Sequence, residues 1–517
     1  MHWRVKWLAL FLIFWSACGA LAGPLTGKRP NIVLVMTDDQ GYGDLACHGN
    51  PLIQTPNIDR MHRESLRFTD FQVSPTCAPT RCSIMTGRHE FKSGVTHTIL
   101  ERERMSLAAT TLPQVLKSAG YTTGIFGKWH LGDEDEYQPG RRGFDEVYIH
   151  GAGGIGQTYP GSCGDAPGNE YFNPAIRHNG TFVKTEGYCT DLFFNQAMKW
   201  IAEKHGAGQP FFAYITPNAP HGPLVSPGEK YSAPYVGKSI DGRELDEGAV
   251  AYYAMITNID ENVGRLLARL DELGAANDTL VIFMTDNGGT YTRLYNAGMK
   301  GSKNSPHEGG THVPSFWRWP ATLPAGTDVD RLAAHIDLLP TFAELAGAKL
   351  PDSLVPDGRS LVPLLENPQA EWSDRYIFVH QGRWPRGGAE DAKYANCAVR
   401  NQQFRLVNNS ELYNVKADPG ETTNVIDDHP EVVAKMRAAY DQWWQEARAG
   451  MCNEDAVGPD VNPYKAAFWK QFGLQPAPAL LEQMKWSRAS DFDRIGGQPK
   501  VRRRAAAAAK ANGRPGQ

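Results

Sequence analysis

Asp38 and Asp39 follow the apolar run Asn31–Met36, and Asp286 and Asn287 follow the apolar run Leu280–Met284. Both places read Thr-Asp-[Asp/Asn]-x-Gly, although they lie far apart in the chain. A short, unbroken apolar run is how a strand buried on both faces reads. In open α/β sheets, ligands gather at the carboxyl ends of such strands. Two matched strand ends can therefore bring four oxygen-bearing side chains to one point. None of the four is Cys or His, and an all-oxygen set suits calcium or magnesium rather than zinc. A divalent cation held there would offset the charge of an anionic substrate and polarise a nucleophile. Either pair alone would pass for a turn or a helix cap. Their matched placement is what points to a metal.

Between them lies Cys77-Ala78-Pro79-Thr80-Arg81-Cys82-Ser83-Ile84-Met85-Thr86-Gly87-Arg88. This segment closely resembles the signature of the type I sulfatases of the alkaline phosphatase superfamily, C-x-P-x-R followed by T-G-R. In that family a formylglycine-generating enzyme oxidises the cysteine to formylglycine, and the resemblance implies the same for Cys77. The chemistry explains the need. An ordinary Ser or Cys would be left stably sulfated, whereas an aldehyde hydrate carries two hydroxyls on one carbon. One attacks sulfur, and loss of the other's proton expels sulfate. Arg81 is placed to hold the hydrate by a charge-assisted bond.

Four further segments fit the same family. Gly127-Lys128-Trp129-His130-Leu131-Gly132 is similar to G-K-W-H-x-G, and Pro220-His221-Gly222-Pro223 to P-H-x-P. Gly301-Ser302-Lys303 with Glu308–Pro314 resembles G-x-K-x-x-x-x-E-G-G-x-R-V-P, and Glu411–Asn414 resembles E-L-Y-[DN]. The resemblance implies catalytic roles for Cys77, Arg81, Lys128, His130, His221 and Lys303. Lys128, His221 and Lys303 would also bind substrate. Asp38, Asp39, Cys77 (as formylglycine), Asp286 and Asn287 would ligate one metal, usually calcium, with magnesium as the other candidate. Lys128 and Lys303 supply point charges for sulfate oxygens. His221, assisted by Lys303, protonates the leaving oxygen, and His130 takes the proton that releases sulfate. His312 stands where the family often has Arg, which puts a supporting salt link in doubt. Met85 replaces a more usual leucine, and Cys82 is unusual inside the signature.

The expected activity is hydrolysis of a sulfate monoester of a carbohydrate or aryl alcohol. Phosphate or phosphonate monoester hydrolysis is the alternative, as is a non-catalytic sulfated-glycan binder with unmodified Cys77. Two Gly-rich loops, 150–164 and 381–397, are candidates to line a sugar-sized pocket. Trp384 could stack on a ring while Arg383 or Arg386 reads an anion.

The elements that must position these residues follow from periodicity. Further strands are expected over 121–126, 211–216 and 315–319. Helices are expected over 111–119, 190–203, 250–273 and 338–346, with Gly274 and Gly347 as stops. The alternation indicates an α/β fold, and the resemblance implies an alkaline-phosphatase-like large mixed sheet flanked by helices. After Asn367 the pattern changes to short strands over 375–380, 398–407 and 411–415 and a helix over 430–448. That reads as a smaller C-terminal α+β domain on a short antiparallel sheet. The expected division is a signal peptide at 1–22, a catalytic domain at 23–367, the α+β unit at 368–480 and a basic tail at 481–517.

Of 517 residues, 53 are basic and 57 acidic, a net charge of −4. Nucleic-acid binding by bulk charge is not indicated. Arg4 and Lys6 precede an uncharged run from Trp7 to Trp15 and then Ala20-Leu21-Ala22, the pattern of a secretory signal. That run is too short to span a bilayer, and no other is long enough, so no stable membrane insertion is expected. The mature chain is expected to be secreted or periplasmic, or lysosomal or extracellular in a eukaryote. Trp15 fits a lipidation site at Cys18 poorly. Of eight cysteines, Cys18 leaves with the signal and Cys77 becomes formylglycine. The other six could form up to three disulfides, with Cys163–Cys189 the first pairing to expect.

Overall fold

A computed structural model describes residues 24–159 and 161–484. The expected signal peptide, Cys18 and the basic tail from residue 485 onward lie outside the described residues. Ten strands form one mixed sheet: β1 (Asn31–Thr37), β2 (Leu66–Phe68), β3 (Thr122–Lys128), β4 (Glu146–His150), β5 (Ala175–His178), β6 (Thr181–Lys184), β7 (Phe211–Thr216), β8 (Thr279–Thr285), β9 (Ser315–Arg318) and β10 (Thr327–Val329). Their order is β10-β2-β9-β8-β1-β7-β3-β4-β5-β6. The five central strands, β8 to β4, run parallel. Antiparallel β9 and β5 flank them.

The unbroken apolar runs have a direct cause. Ile32, Leu34 and Met36 of β1 enter the core on one face, with helices Leu112–Ser118 and Leu338–Ala346. Val33 and Val35 enter the core on the other, with helices Cys189–Gly206 and Glu247–Glu272. Alternate side chains thus point to opposite, equally dry faces. Each buried aliphatic side chain contributes roughly 1.5–3 kcal/mol. The pairing of β1 with β8 runs from Asn31 opposite Thr279 to Thr37 opposite Thr285. That register places Asp38 and Asp286 side by side, each just past its strand end.

The helices lie where the apolar spacing predicts, with ends set by capping. Asp246 accepts from the Ala249 N–H at 2.8 Å and starts the long helix three residues before its first apolar position. Gly347, at φ 68°, closes helix Leu338–Ala346. The strand expected over 398–407 is instead a hairpin, Cys397–Arg400 and Phe404–Val407. Asn401 breaks it: its Oδ1 accepts from the N–H groups of Gln403 and Phe404. With Ile377–His380 and Glu411–Asn414 these make a four-stranded antiparallel sheet. Helix Pro430–Arg448 covers it with Met436, Tyr440, Trp443 and Trp444. Beyond, helix Pro463–Phe472 returns to the large sheet, where Tyr464 and Phe468 pack edge-on against Phe182.

The disulfide expectation is corrected. The seven described cysteines are all free. Cys163 lies in a loop with its Sγ 4.0 Å from the Thr98 carbonyl, whereas Cys189 opens a helix with its Sγ 3.6 Å from Asn218 Oδ1. Each thiol already has its own polar neighbour in a different part of the fold.

The doubted salt link at His312 is present. Its Nδ1 lies 2.8 Å from Glu308, and its Nε2 lies 2.9 Å from the Thr69 carbonyl. Both ring nitrogens face acceptors, so the ring must carry both protons. Burial lowers the His312 pKa, but the Glu308 carboxylate outweighs it and the pKa is raised. Glu308 also accepts from Arg405 at 2.5 Å and Arg400 at 3.3 Å, tying the small sheet to the large domain. A raised folded pKa gives stability that is full below the unfolded value, about 6.5. It is lost as pH rises through the folded value. Substituting His312→Ala should cost about 2 kcal/mol at pH 6 and clearly less at pH 9. Equal losses in denaturant melts at the two pH values would contradict the charged link.

Candidate active site

Cys77 opens helix Cys77–Thr86, and its side chain is buried. The positive end of that helix favours negative charge at position 77. The glycine of the Thr-Gly-Arg end is required by geometry. Gly87 caps the helix at φ 63°, and a Cβ there would meet Leu339 at 3.1 Å. Cys82 is buried in the core below and takes no part in the site.

The strand ends β1, β3, β7 and β8 meet around Cys77. Lys128, last residue of β3, bonds Asp38 at 2.6 Å. Lys303 bonds Asp39 at 2.5 Å, and His221 Nε2 lies 3.8 Å from the same carboxylate. Asn287 donates to Asp39 at 3.0 Å. Asp286 accepts from Arg81 at 2.7 Å and from the Asp39 N–H at 3.2 Å. Arg81 also donates to the Lys128 carbonyl at 3.0 Å and to Thr216 Oγ1. The guanidinium thus spans the ends of three strands and orients Asp286. Every catalytic and metal-ligating residue expected from the sequence lies in this cluster. Asp39 and His130 both adopt left-handed backbone, at φ 67° and 60°, and such strain gathers at functional sites.

His130 Nδ1 lies 3.4 Å from Cys77 Sγ, and its Nε2 lies 2.7 Å from the Thr98 carbonyl. The carbonyl can only accept, so Nε2 carries the hydrogen and the Nδ1 lone pair faces position 77. His221 has the opposite arrangement. Its Nδ1 lies 2.7 Å from the Gly222 carbonyl, which leaves Nε2 facing the cluster. The loop 150–164 packs on both rings. A Cβ on Gly153 would fall 2.6 Å from His130, and one on Gly154 3.0 Å from His221. Its glycines let the loop approach the histidines closely. The Thr98 carbonyl and Thr216 were not legible beforehand. One is a backbone group, and the other is marked only by its place at a strand end.

Burial pushes Asp38 up to about 6, against the pull of Lys128. Burial, then neighbouring Asp38, pushes Asp286 up to about 6. For Asp39 burial is outweighed by Lys303 and His221, and its carboxyl stays well below the usual range. Burial would raise the Cys77 thiol, but Lys128 and Lys303 lower it. Burial pushes His221 down to about 4 and, with Lys128, holds His130 well below the usual histidine range.

The donor set suits a hard cation. Asp38 Oδ1 and Asn287 Oδ1 are buried without a hydrogen-bond partner. Ligand atoms of Asp38, Cys77 and Asp286 lie within 4.8 Å of one another, as do those of Asp38, Asp39 and His221. Oxygen ligands about 2.3–2.6 Å from a common centre give such separations.

The loop 381–397 corrects part of the substrate reading. Trp384 is buried, with its indole N–H bonded to Glu454 at 2.5 Å and Phe91 and Trp444 against its ring. It is core and offers no face to a sugar. Arg386 lies near Asp455 at 3.6 Å and donates to the Ala456 carbonyl.

Residues 30–348 match the family model described as Sulfatase, and residues 302–446 match N-sulphoglucosamine sulphohydrolase, C-terminal. N-acetylgalactosamine-6-sulfatase of Rattus norvegicus is 33% identical over 406 residues, covering 72% of each chain. Arylsulfatase A of Homo sapiens is 33% identical over 452 residues, covering 78% of this chain and 85% of its own. Among solved structures, Ps i-CgsB in complex with k-i-k-neocarrahexaose superposes with TM-score 0.73 at 27% identity, covering 89% of this chain and all of that one.

Proposed function

The chain belongs to the sulfatase family and is a sulfatase, and from that premise we propose that it cleaves a sulfated carbohydrate using formylglycine at position 77 and one calcium or magnesium ion. One observation carries the reading. The β1–β8 register and the helix at Cys77 bring three carboxylates, two lysines and two histidines around one buried thiol. A glycan substrate is supported by relatives. Ps i-CgsB, 27% identical, was solved with k-i-k-neocarrahexaose, and a relative 33% identical is an N-acetylgalactosamine-6-sulfatase. The signal-like leader supports action outside the cytoplasm, and a formylglycine-generating enzyme is the partner that maturation requires.

Formylglycine, as its hydrate, supplies an oxygen nucleophile and a second hydroxyl. A divalent cation held by Asp38, Asp39, Asp286 and Asn287 would supply charge that offsets the sulfate and acidifies the group at position 77. The residues of the chain do the rest. Lys128 and Lys303 present ammonium groups to the sulfate oxygens. Lys303 keeps its proton firmly, because Asp39 outweighs burial and raises its pKa. Nδ1 of His130 accepts a proton from the group at position 77. Nε2 of His221 delivers a proton to the leaving oxygen, with Lys303 beside it. The anionic sulfate arriving next to the ring favours the imidazolium that burial alone disfavours.

His221→Ala should lower turnover of alkyl and sugar sulfates by roughly 10²–10⁴-fold, the range for general acid catalysis. The loss on p-nitrophenyl sulfate should be much smaller, since that phenolate needs no proton to leave. Equal losses on both would refute the acid role. The reading as a whole is tested by sulfate release from sulfated mono- and oligosaccharides with metal added and removed. Absence of release under all conditions would overturn it. Phosphonate hydrolysis is not favoured. The phosphonate monoester hydrolase of Agrobacterium radiobacter is 22% identical with TM-score 0.58, a likeness of fold alone.

A further inference from the structure

Arg383 is held in left-handed backbone at φ 64°, directly after Gly382 at φ 67°. A bulky residue adopts that conformation only when its surroundings impose it. Here the Thr96 carbonyl imposes it. Arg383 N–H donates to that oxygen at 3.0 Å, and a Cβ on Gly382 would fall 2.1 Å from it. The twist turns Arg383 inward while Trp384 joins the core and Arg386 turns to the segment at 455–456.

The guanidinium reaches Thr98, donating from Nη2 to Oγ1 at 2.9 Å. Thr98 is the residue whose carbonyl holds His130 against Cys77. Arg383 is therefore separated from the nucleophile position by one residue and one ring. Cys77 and then Asp39 are the charges it feels most, followed by Tyr159 of the Gly-rich loop.

Among the described residues, no carboxylate lies within ion-pair distance of Arg383, and its Nε is buried without a hydrogen-bond partner. Other buried arginines have fuller sets of acceptors. Arg102, Arg375, Arg400 and Arg405 each reach a carboxylate, and Arg142, which also lacks a carboxylate, donates to three backbone carbonyls. A strained backbone and an unpaired, half-buried cation are both costly, and an anionic ligand would offset that cost.

We propose that Arg383, with Thr98 and Tyr159 beside it, binds a second oxyanion of the substrate, next to the sulfate that is cleaved. The substrate class is then a sugar sulfate carrying either a further sulfate ester or a uronate carboxylate. This inference rests on the sulfatase reading of the Cys77 site.

The test uses metal-loaded, formylglycine-containing enzyme and four substrates. They are p-nitrophenyl sulfate, a singly sulfated sugar, the same sugar with a second sulfate, and the same sugar linked to a uronate. The wild type should prefer one of the two dianionic sugars over the singly sulfated one by roughly 10- to 100-fold in kcat/KM, the scale of a charged hydrogen bond. The preferred sugar tells sulfate from carboxylate. Arg383→Gln should erase that preference, with a loss on p-nitrophenyl sulfate at least about tenfold smaller. Arg383→Lys, which keeps the charge, should restore part of it. Equal losses on all four substrates, or a wild type indifferent to the second anion, would overturn the inference while leaving the sulfatase reading intact. No sulfate release from any of the four would overturn the sulfatase reading and this inference with it.

Discussion

Cys77→Ala should abolish sulfate release, with turnover down by roughly 10⁴–10⁶-fold, the scale seen when a covalent nucleophile is removed. The fold should survive. The side chain is small, and removing one buried sulfur costs about 1–2 kcal/mol. The contacts that shape the site do not depend on it. Arg81 still spans Asp286, Thr216 and the Lys128 carbonyl, and Thr98 still holds His130. Cys77→Ser separates two ideas. A serine keeps one oxygen but cannot form an aldehyde hydrate, so it should give at most a single turnover and then stay sulfated. Sustained turnover by either variant, measured as sulfate released per enzyme, would sink the assignment.

The second large effect is on the metal. Asp286→Ala would remove a ligand and leave Arg81 buried without its carboxylate, and breaking such a pair costs roughly 3–5 kcal/mol. Asp286→Asn is the cleaner variant, because it keeps shape and an acceptor for Arg81 while removing charge. Calcium in the wild type should raise the melting temperature, as any ligand of the folded state does. In Asp286→Asn that rise should vanish, metal content by elemental analysis should fall, and activity should drop by roughly 100-fold or more. Retention of metal and of the calcium-dependent shift would remove Asp286 from the ligand set.

Why these residues converge was partly legible from the chain. Dry strands announce themselves as unbroken apolar runs, and Asp38 and Asp286 are readable because each stands immediately after one. Cys77 and Arg81 were readable through the resemblance of the C-x-P-x-R segment to the sulfatase signature, which is likewise a local pattern. Pairings through space left no such pattern. Nothing near Arg81 says that its guanidinium will meet Asp286, Thr216 and a carbonyl at Lys128, since that depends on the β1–β8 and β3–β7 registers. Trp384 looked like a sugar platform because aromatic residues in Gly-rich loops often are. Its burial follows from Phe91 and Trp444, which belong to distant segments. The His312 link was doubted because Arg was expected there. A protonated imidazole between Glu308 and the Thr69 carbonyl does the same work, with pH dependence added. The pairing of Cys163 with Cys189 failed because sequence proximity within a loop-rich stretch says little about where two thiols point.

The most direct test of the account is the mass of residue 77 in protein that releases sulfate. The tryptic peptide spanning residues 68–81 contains it as the sole cysteine. Conversion to formylglycine exchanges the thiol for an aldehyde and makes that peptide about 18 Da lighter. The account predicts the lighter peptide in active preparations, in proportion to their activity. Fully active protein in which residue 77 is an intact cysteine would contradict it.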